Sequence, residues 1–106
     1  MLGAMTTSPV HVVFEVDVLA ADSPAYREYK EAVAPLIEQF GGRYLARAAR
    51  GTAIEGPATQ GVWHIVEFPD IDAVHAFWAC PEYSRLRPLR EGAVDVRAVI
   101  IEPRSS

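Results

Sequence analysis

The sequence predicts an α+β domain in which two helices cover one face of a four-stranded antiparallel sheet. Three observations predict it. Val10, Val12, Phe14, Val16 and Val18 alternate with His11, Val13, Glu15, Asp17 and Leu19, the period of a half-buried strand. Tyr26, Tyr29, Val33, Leu36, Ile37 and Phe40 recur at steps of three and four, which makes one apolar helical stripe. Strand-like and helix-like segments follow one another in the order β-α-β-β-α-β.

The first strand covers residues 10–19. Ser23 and Pro24 then open a helix, as N-cap and first helical residue. Pro35 lies inside its apolar stripe and is expected to kink or break it. Gly41 and Gly42 supply the stop. Residues 43–49 read as the second strand, with Arg43, Leu45 and Arg47 facing one way and Tyr44, Ala46 and Ala48 the other. Residues 51–61 are rich in Gly, Thr and Pro and read as a loop or a distorted strand end. Residues 62–68 are the third strand. Asp70 caps a second helix over residues 71–79, Pro81 forces a break, and a short helical segment follows over residues 82–86. Residues 93–101 are the last strand. This order is the ferredoxin-like, split βαβ arrangement.

Two helices leave the second sheet face bare. Val13, Leu45, Trp63, Ile65, Val99 and Ile101 fall on it, and an exposed apolar patch of that kind marks an interface. A homodimer that pairs sheet against sheet covers it.

The 106 residues make one domain, 9–106, behind a loose tail, 1–8, that lacks the charged and apolar regions of a secretory signal. Ten Lys and Arg against 14 Asp and Glu give 10 − 14 = −4. With a single lysine, Lys30, and scattered arginines, the chain is not expected to bind nucleic acid. No apolar run is long enough to span a membrane. The lone cysteine, Cys80, forms no internal disulfide, which makes the cytoplasm the expected location. His11, His64 and His75 come from three elements without metal-ligand spacing, so neither a metal nor another cofactor is expected. Cys80 reads as a buried structural thiol.

The run Phe40-Gly41-Gly42-Arg43-Tyr44-Leu45-Ala46-Arg47 resembles a family signature. So do Glu55-Gly56, Glu67-Phe68-Pro69-Asp70, and Ala76-Phe77-Trp78-Ala79-Cys80-Pro81-Glu82-Tyr83. Together they resemble domain-of-unknown-function family 1330, of the dimeric α+β barrel superfamily, across nearly the whole chain. The resemblance implies a ferredoxin-like subunit and a sheet-to-sheet dimer, and no established activity. Two departures stand out. Ala48-Ala49 replaces the family's Gly-Gly, which predicts a more regular second strand. Trp78-Ala79-Cys80 stands where the family has Tyr, an acidic or small residue, and Ser.

Candidate site residues fall into four groups. Period two points Arg43, Arg47, Trp63 and Glu67 into the space between paired sheets, where a barrel interior can hold a small ligand. Arg47 is the natural clamp for a carboxylate or enolate, and Glu67 a partner or general base. A set of buried ion pairs that fixes dimer register is the alternative. Tyr26, Tyr29, Trp78 and Tyr83 can line a pocket between helices and sheet, or can be ordinary core aromatics. Tyr83 stands out because it follows the break at Pro81. Glu55 sits beside Gly56 in a loop that can approach a ligand or simply turn. Arg90 can close a pocket mouth or cap helix carbonyls.

These residues point to a small-molecule-binding dimer. It can be a cofactor-independent enzyme, monooxygenase- or isomerase-like, that acts on an enolisable or aromatic compound. Arg47 would hold the oxyanion, and Glu67 or Tyr83 would move the proton. A non-catalytic ligand-binding or sensing dimer, or a purely structural dimerisation module, fits the same residues.

Overall fold

The structure, a computed structural model, describes residues 8–103. Apart from Ser8, the expected tail lies outside them. The chain runs through β1 (Val10–Val18), α1 (Pro24–Gln39), β2 (Arg43–Arg50), β3 (Val62–Phe68), α2 (Ile71–Ala79), α3 (Pro81–Leu86), a 3₁₀ turn (Arg87–Arg90) and β4 (Val94–Ile101). One antiparallel sheet has the strand order β2-β3-β1-β4. This is the predicted ferredoxin-like order, with the break at Pro81 turning the second helical segment into two short helices. No helix among the described residues is long and apolar enough to cross a membrane.

The caps fix where the helices begin and end. Ser23 Oγ accepts from the Tyr26 N–H at 3.2 Å, and Asp70 Oδ1 from the Ala73 N–H at 2.8 Å. At the end of α1 the Gly41 N–H donates to Glu38 O and the Gly42 N–H to Ile37 O, both at 3.0 Å. This paired closure needs a left-handed residue, and Gly41 supplies it with φ +84°. Cys80 opens α3: its buried Sγ accepts from the Tyr83 N–H at 3.4 Å, so the thiol has a structural place.

Pro35 does not break α1, which is continuous across it. The proline and Glu31, whose carbonyl loses its usual donor, are both exposed, so the lost bond falls on the solvent side of the helix.

The core lies between sheet and helices. Val10, Val12, Phe14 and Val16 of β1, with Val66 and Phe68 of β3, meet Val33, Leu36 and Ile37 of α1 and Val74 and Phe77 of α2. Phe77, 1% exposed, is the hub, with ring centroids 4.4 Å from Tyr83 and 5.9 Å from Phe68. Each such ring contributes roughly 1.5–3 kcal/mol by leaving water. The opposite sheet face carries Val13, Ile65, Leu45, Val99 and Ile101, and the last three are exposed.

One strand departs from expectation. β2 shifts register against β3 twice, between Tyr44 and Ala46 and again between Ala46 and Ala49. Ala48 takes φ +51°, a left-handed conformation that costs an L-residue roughly 1–2 kcal/mol. Strand two is therefore irregular at Ala48-Ala49, contrary to the prediction. An alanine occupies a backbone geometry suited to glycine. The shifts also break period two, so Arg47 does not share a face with Arg43.

Candidate functional site

A partly enclosed cavity of about 130 Å³ lies between the helices and the inner face of the sheet. Phe14, Val16, Val33, Ile37 and Phe77 give it an apolar floor. Tyr26 and Tyr29 reach it from successive turns of α1, and Tyr83 reaches it because the break at Pro81 starts a new helix there. The Tyr29 and Tyr83 hydroxyls lie 3.0 Å apart and share a hydrogen bond. Tyr44 and Arg47 enter from β2, His64 from β3, and Arg90 from the 3₁₀ turn.

Three cations ring this space. The Lys30 ammonium is 4.9 Å from the Tyr26 ring centroid, the Arg47 guanidinium 4.9 Å from Tyr44, and the Arg90 guanidinium 5.6 Å from Tyr29. Each rests on an aromatic face, an arrangement worth roughly 0.5–1 kcal/mol at an exposed site. No carboxylate lines the cavity, and among the described residues none of the three cations has an ion-pair partner. Burial raises the Tyr26, Tyr29 and Tyr44 hydroxyls above the usual phenol range, and nearby Arg90 or Arg47 only partly offsets it. They are hydrogen-bond donors at neutral pH. Burial, then the Arg47 charge, lowers His64 below the usual imidazole value, so its ring is neutral. Its Nδ1 accepts the Ala48 N–H at 3.1 Å.

Glu67 stands on the opposite face of the sheet. Arg43 Nε donates to its Oε1 at 2.9 Å, and His11 Nε2 lies 3.3 Å from Oε2. The Arg43 hydrogen bond, with His11 adding to it, holds the Glu67 carboxyl below its usual range. Arg47 and Glu67 are thus not brought together. The register shifts in β2 turn Arg47 inward, where the sequence placed it between paired sheets. Arg47 joins Tyr26, Tyr29, Tyr83 and Arg90 at the cavity, while Arg43, Trp63 and Glu67 stay on the outer sheet face.

The family model described as Domain of unknown function (DUF1330) matches residues 9–103. The chain belongs to this family. No curated protein matches it. Solved structures share its fold. A protein of unknown function from Rhodopseudomonas palustris has 23% identity over 93% of this chain and 85% of its own, with a TM-score of 0.70. A cofactor-independent oxygenase from Streptomyces nogalater has 14% identity over 94% and 97%, with a TM-score of 0.59. A dimeric protein of unknown function and ferredoxin-like fold from Bacteroides fragilis has 17% identity over 90% and 96%, with a TM-score of 0.56. At these identities the likeness is one of fold.

The remaining candidates of this DUF1330 chain lie apart from the cavity. Trp78 does not line it: the indole packs on Tyr83 with centroids 5.2 Å apart, under the Arg87 guanidinium at 5.6 Å. Glu55 is exposed in the loop over residues 51–61, beside Gly56, whose φ of +85° marks a turn. Trp63 packs its indole against Gly51 and leaves no room there for a side chain. Its Nε1 is buried with no partner among the described residues. Besides Lys30, two lining residues, Tyr44 and His64, were missed by the sequence reading. Parity held their signal, because a strand that turns Trp63 and Glu67 outward turns His64 inward. Among the described residues no group of three or more His, Cys, Asp or Glu is placed to hold a metal.

Proposed function

We propose that this chain is a small-molecule-binding homodimer whose cavity takes an aromatic or enolisable compound about one ring in size, as its oxyanion. The observation that carries this reading is the cation set: Lys30, Arg47 and Arg90 face a small apolar space that contains no carboxylate. A void of roughly 150 Å³ admits a benzene ring, and this one is about 130 Å³. A cation roughly 4 Å from a ligand anion contributes about 4 kcal/mol of attraction near a protein surface, before desolvation. The tyrosines present ring faces to these cations, whereas an enol or phenol whose oxygen meets them directly has its ionised form favoured by them. Arg47 offers the fork that holds a planar oxyanion, and the Tyr29–Tyr83 pair offers a proton donor.

The oxygenase that shares this fold supports an enzymatic form of the reading, as an analogy of fold. In that form Arg47 keeps the role expected of it, the fully buried Tyr83 acts only through its hydrogen bond to Tyr29, and Glu67, on the other face, has no role. One observation favours a non-catalytic binding or sensing dimer instead. The cavity has no carboxylate and its imidazole has Nδ1 occupied, so it lacks a free general base. The exposed apolar sheet face and the dimeric relative of the same fold support the homodimer. The single buried thiol of Cys80 fits the reducing cytoplasm.

The test uses 4-nitrophenol, whose absorption differs between phenol and phenolate. Bound to the protein below its own pKa, it is expected to show the phenolate spectrum. Arg47→Ala should weaken that binding about tenfold or more, as befits a lost charged hydrogen bond. A wild-type protein that leaves the spectrum unchanged at saturating probe overturns the reading. Oxygen uptake or isomerisation by the bound compound then separates enzyme from sensor.

A further inference from the structure

His64 is on the inner face of β3, opposite Phe14, and its ring lines the cavity. Its Nδ1 is committed, because it accepts the backbone N–H of Ala48 at 3.1 Å. An imidazole nitrogen that accepts a hydrogen bond carries no proton, so in the neutral ring the proton sits on Nε2. Nε2 makes no hydrogen bond among the described residues, yet it is not sealed away: the one buried side-chain nitrogen or oxygen without a partner there is Trp63 Nε1. The accepting contact comes from the residue at φ +51°. That conformation is costly for alanine, and it sits beside Arg47, which also lines the cavity. The strained turn of β2 thus holds an amide in the position that fixes the tautomer of His64.

We propose that His64 is a specificity-determining residue of this cavity, locked by the Ala48 amide as the Nε2–H tautomer so that it donates a hydrogen bond to the oxygen of the bound ligand. The inference rests on the proposed function for the ligand's identity, but not for the tautomer. It makes the site selective by chemistry as well as by charge. A ligand must present an acceptor to Nε2–H, so the phenolate, enolate or carboxylate oxygen fits there. A ligand that presents a donor leaves two N–H or O–H groups facing each other. The expulsion of positive charge from the ring fits the same purpose, since burial and the neighbouring Arg47 both disfavour imidazolium. Arg47 then supplies the charge and His64 the direction.

Two substitutions separate the two ring nitrogens. In His64→Asn the amide oxygen reaches the position of Nδ1 and keeps the Ala48 bond, but nothing replaces Nε2–H. In His64→Gln the longer amide places an N–H near the position of Nε2. With 4-nitrophenolate as probe, His64→Asn is expected to weaken binding about tenfold or more and His64→Gln less than threefold. Equal losses in both, or none in either, overturn the donor role. The tautomer is read independently by long-range ¹H–¹⁵N correlation of the wild-type imidazole at pH 7. A protonated Nε2 and a bare Nδ1 are expected, and a protonated Nδ1 overturns the proposal whatever the binding shows. A wild-type protein that binds no nitrophenolate, with the Nε2–H tautomer in place, overturns the oxyanion reading and the ligand-donating role together, and leaves the lock standing.

Discussion

His64 and Glu67 stand three residues apart on β3 and serve opposite faces of the sheet, because successive side chains of a strand alternate. The inward one is neutral and the outward one is charged, and their surroundings explain both. His64 has lost water and faces Arg47, so the cationic ring is disfavoured. Glu67 keeps water and gains a donor from Arg43, so the carboxylate is favoured. Its folded pKa lies below the ordinary 4.5. The stability it contributes is therefore present above 4.5 and lost as the pH falls through the folded value. An exposed pair of this kind contributes little. The titration itself is the better readout. In carboxyl ¹³C spectra Glu67 should titrate below 4.5, and Arg43→Gln should raise its midpoint toward that value. A Glu67 titration that Arg43→Gln leaves unmoved would show that His11 or another group sets it.

Elements follow their residues where the period is unbroken. In β1, β3 and β4 the alternation of Val10 through Val16, of Val62 through Phe68 and of Val94 through Ile100 assigns each side chain to a face, and the structure keeps those assignments. Ser23, Asp70, Gly41 and Pro81 likewise mark element ends through local chemistry that needs no tertiary contact. β2 is different. Its two register shifts depend on pairing with β3, which is a long-range fact, and period two has no means of showing them. Arg47 changes face for that reason, from the space expected between paired sheets to the cavity between helices and sheet, where the sequence had placed the tyrosine candidates. The left-handed Ala48 marks the change and makes a stability prediction. Ala48→Gly removes a strain of roughly 1–2 kcal/mol against a cost of roughly 0.5–1 for glycine's freedom when unfolded. The melting temperature should rise by a few degrees, about 4–8 °C per kcal/mol. Ala49 has no positive φ, so Ala49→Gly should lower stability by roughly 0.5–1 kcal/mol. Thermal denaturation of both variants checks the pair, and a destabilised Ala48→Gly would mean that the methyl group packs better than the backbone fits.

At the scale of the whole molecule the two faces of one sheet carry separate tasks. The inner face holds core and cavity. The outer face leaves Leu45, Val99 and Ile101 in water at 47%, 39% and 51% exposure, beside the Arg43–Glu67–His11 group. An apolar surface with a satisfied polar cluster suits a second copy, because each copy then covers the other through a self-complementary patch. Leu45→Glu separates the tasks. In the isolated subunit the side chain is exposed, so the fold should lose no more than about 0.5 kcal/mol. In a sheet-to-sheet dimer the same carboxylate is buried without a partner, at a cost of several kcal/mol. Sedimentation at micromolar concentration should therefore find a dimer for the wild type and a monomer for Leu45→Glu. The cavity is built from one chain and lies on the far side of the sheet from that contact. Nitrophenolate should accordingly bind the monomeric variant within threefold of the wild type. Loss of binding together with loss of the dimer would mean that the second subunit completes the site, and that its chemistry belongs to the pair.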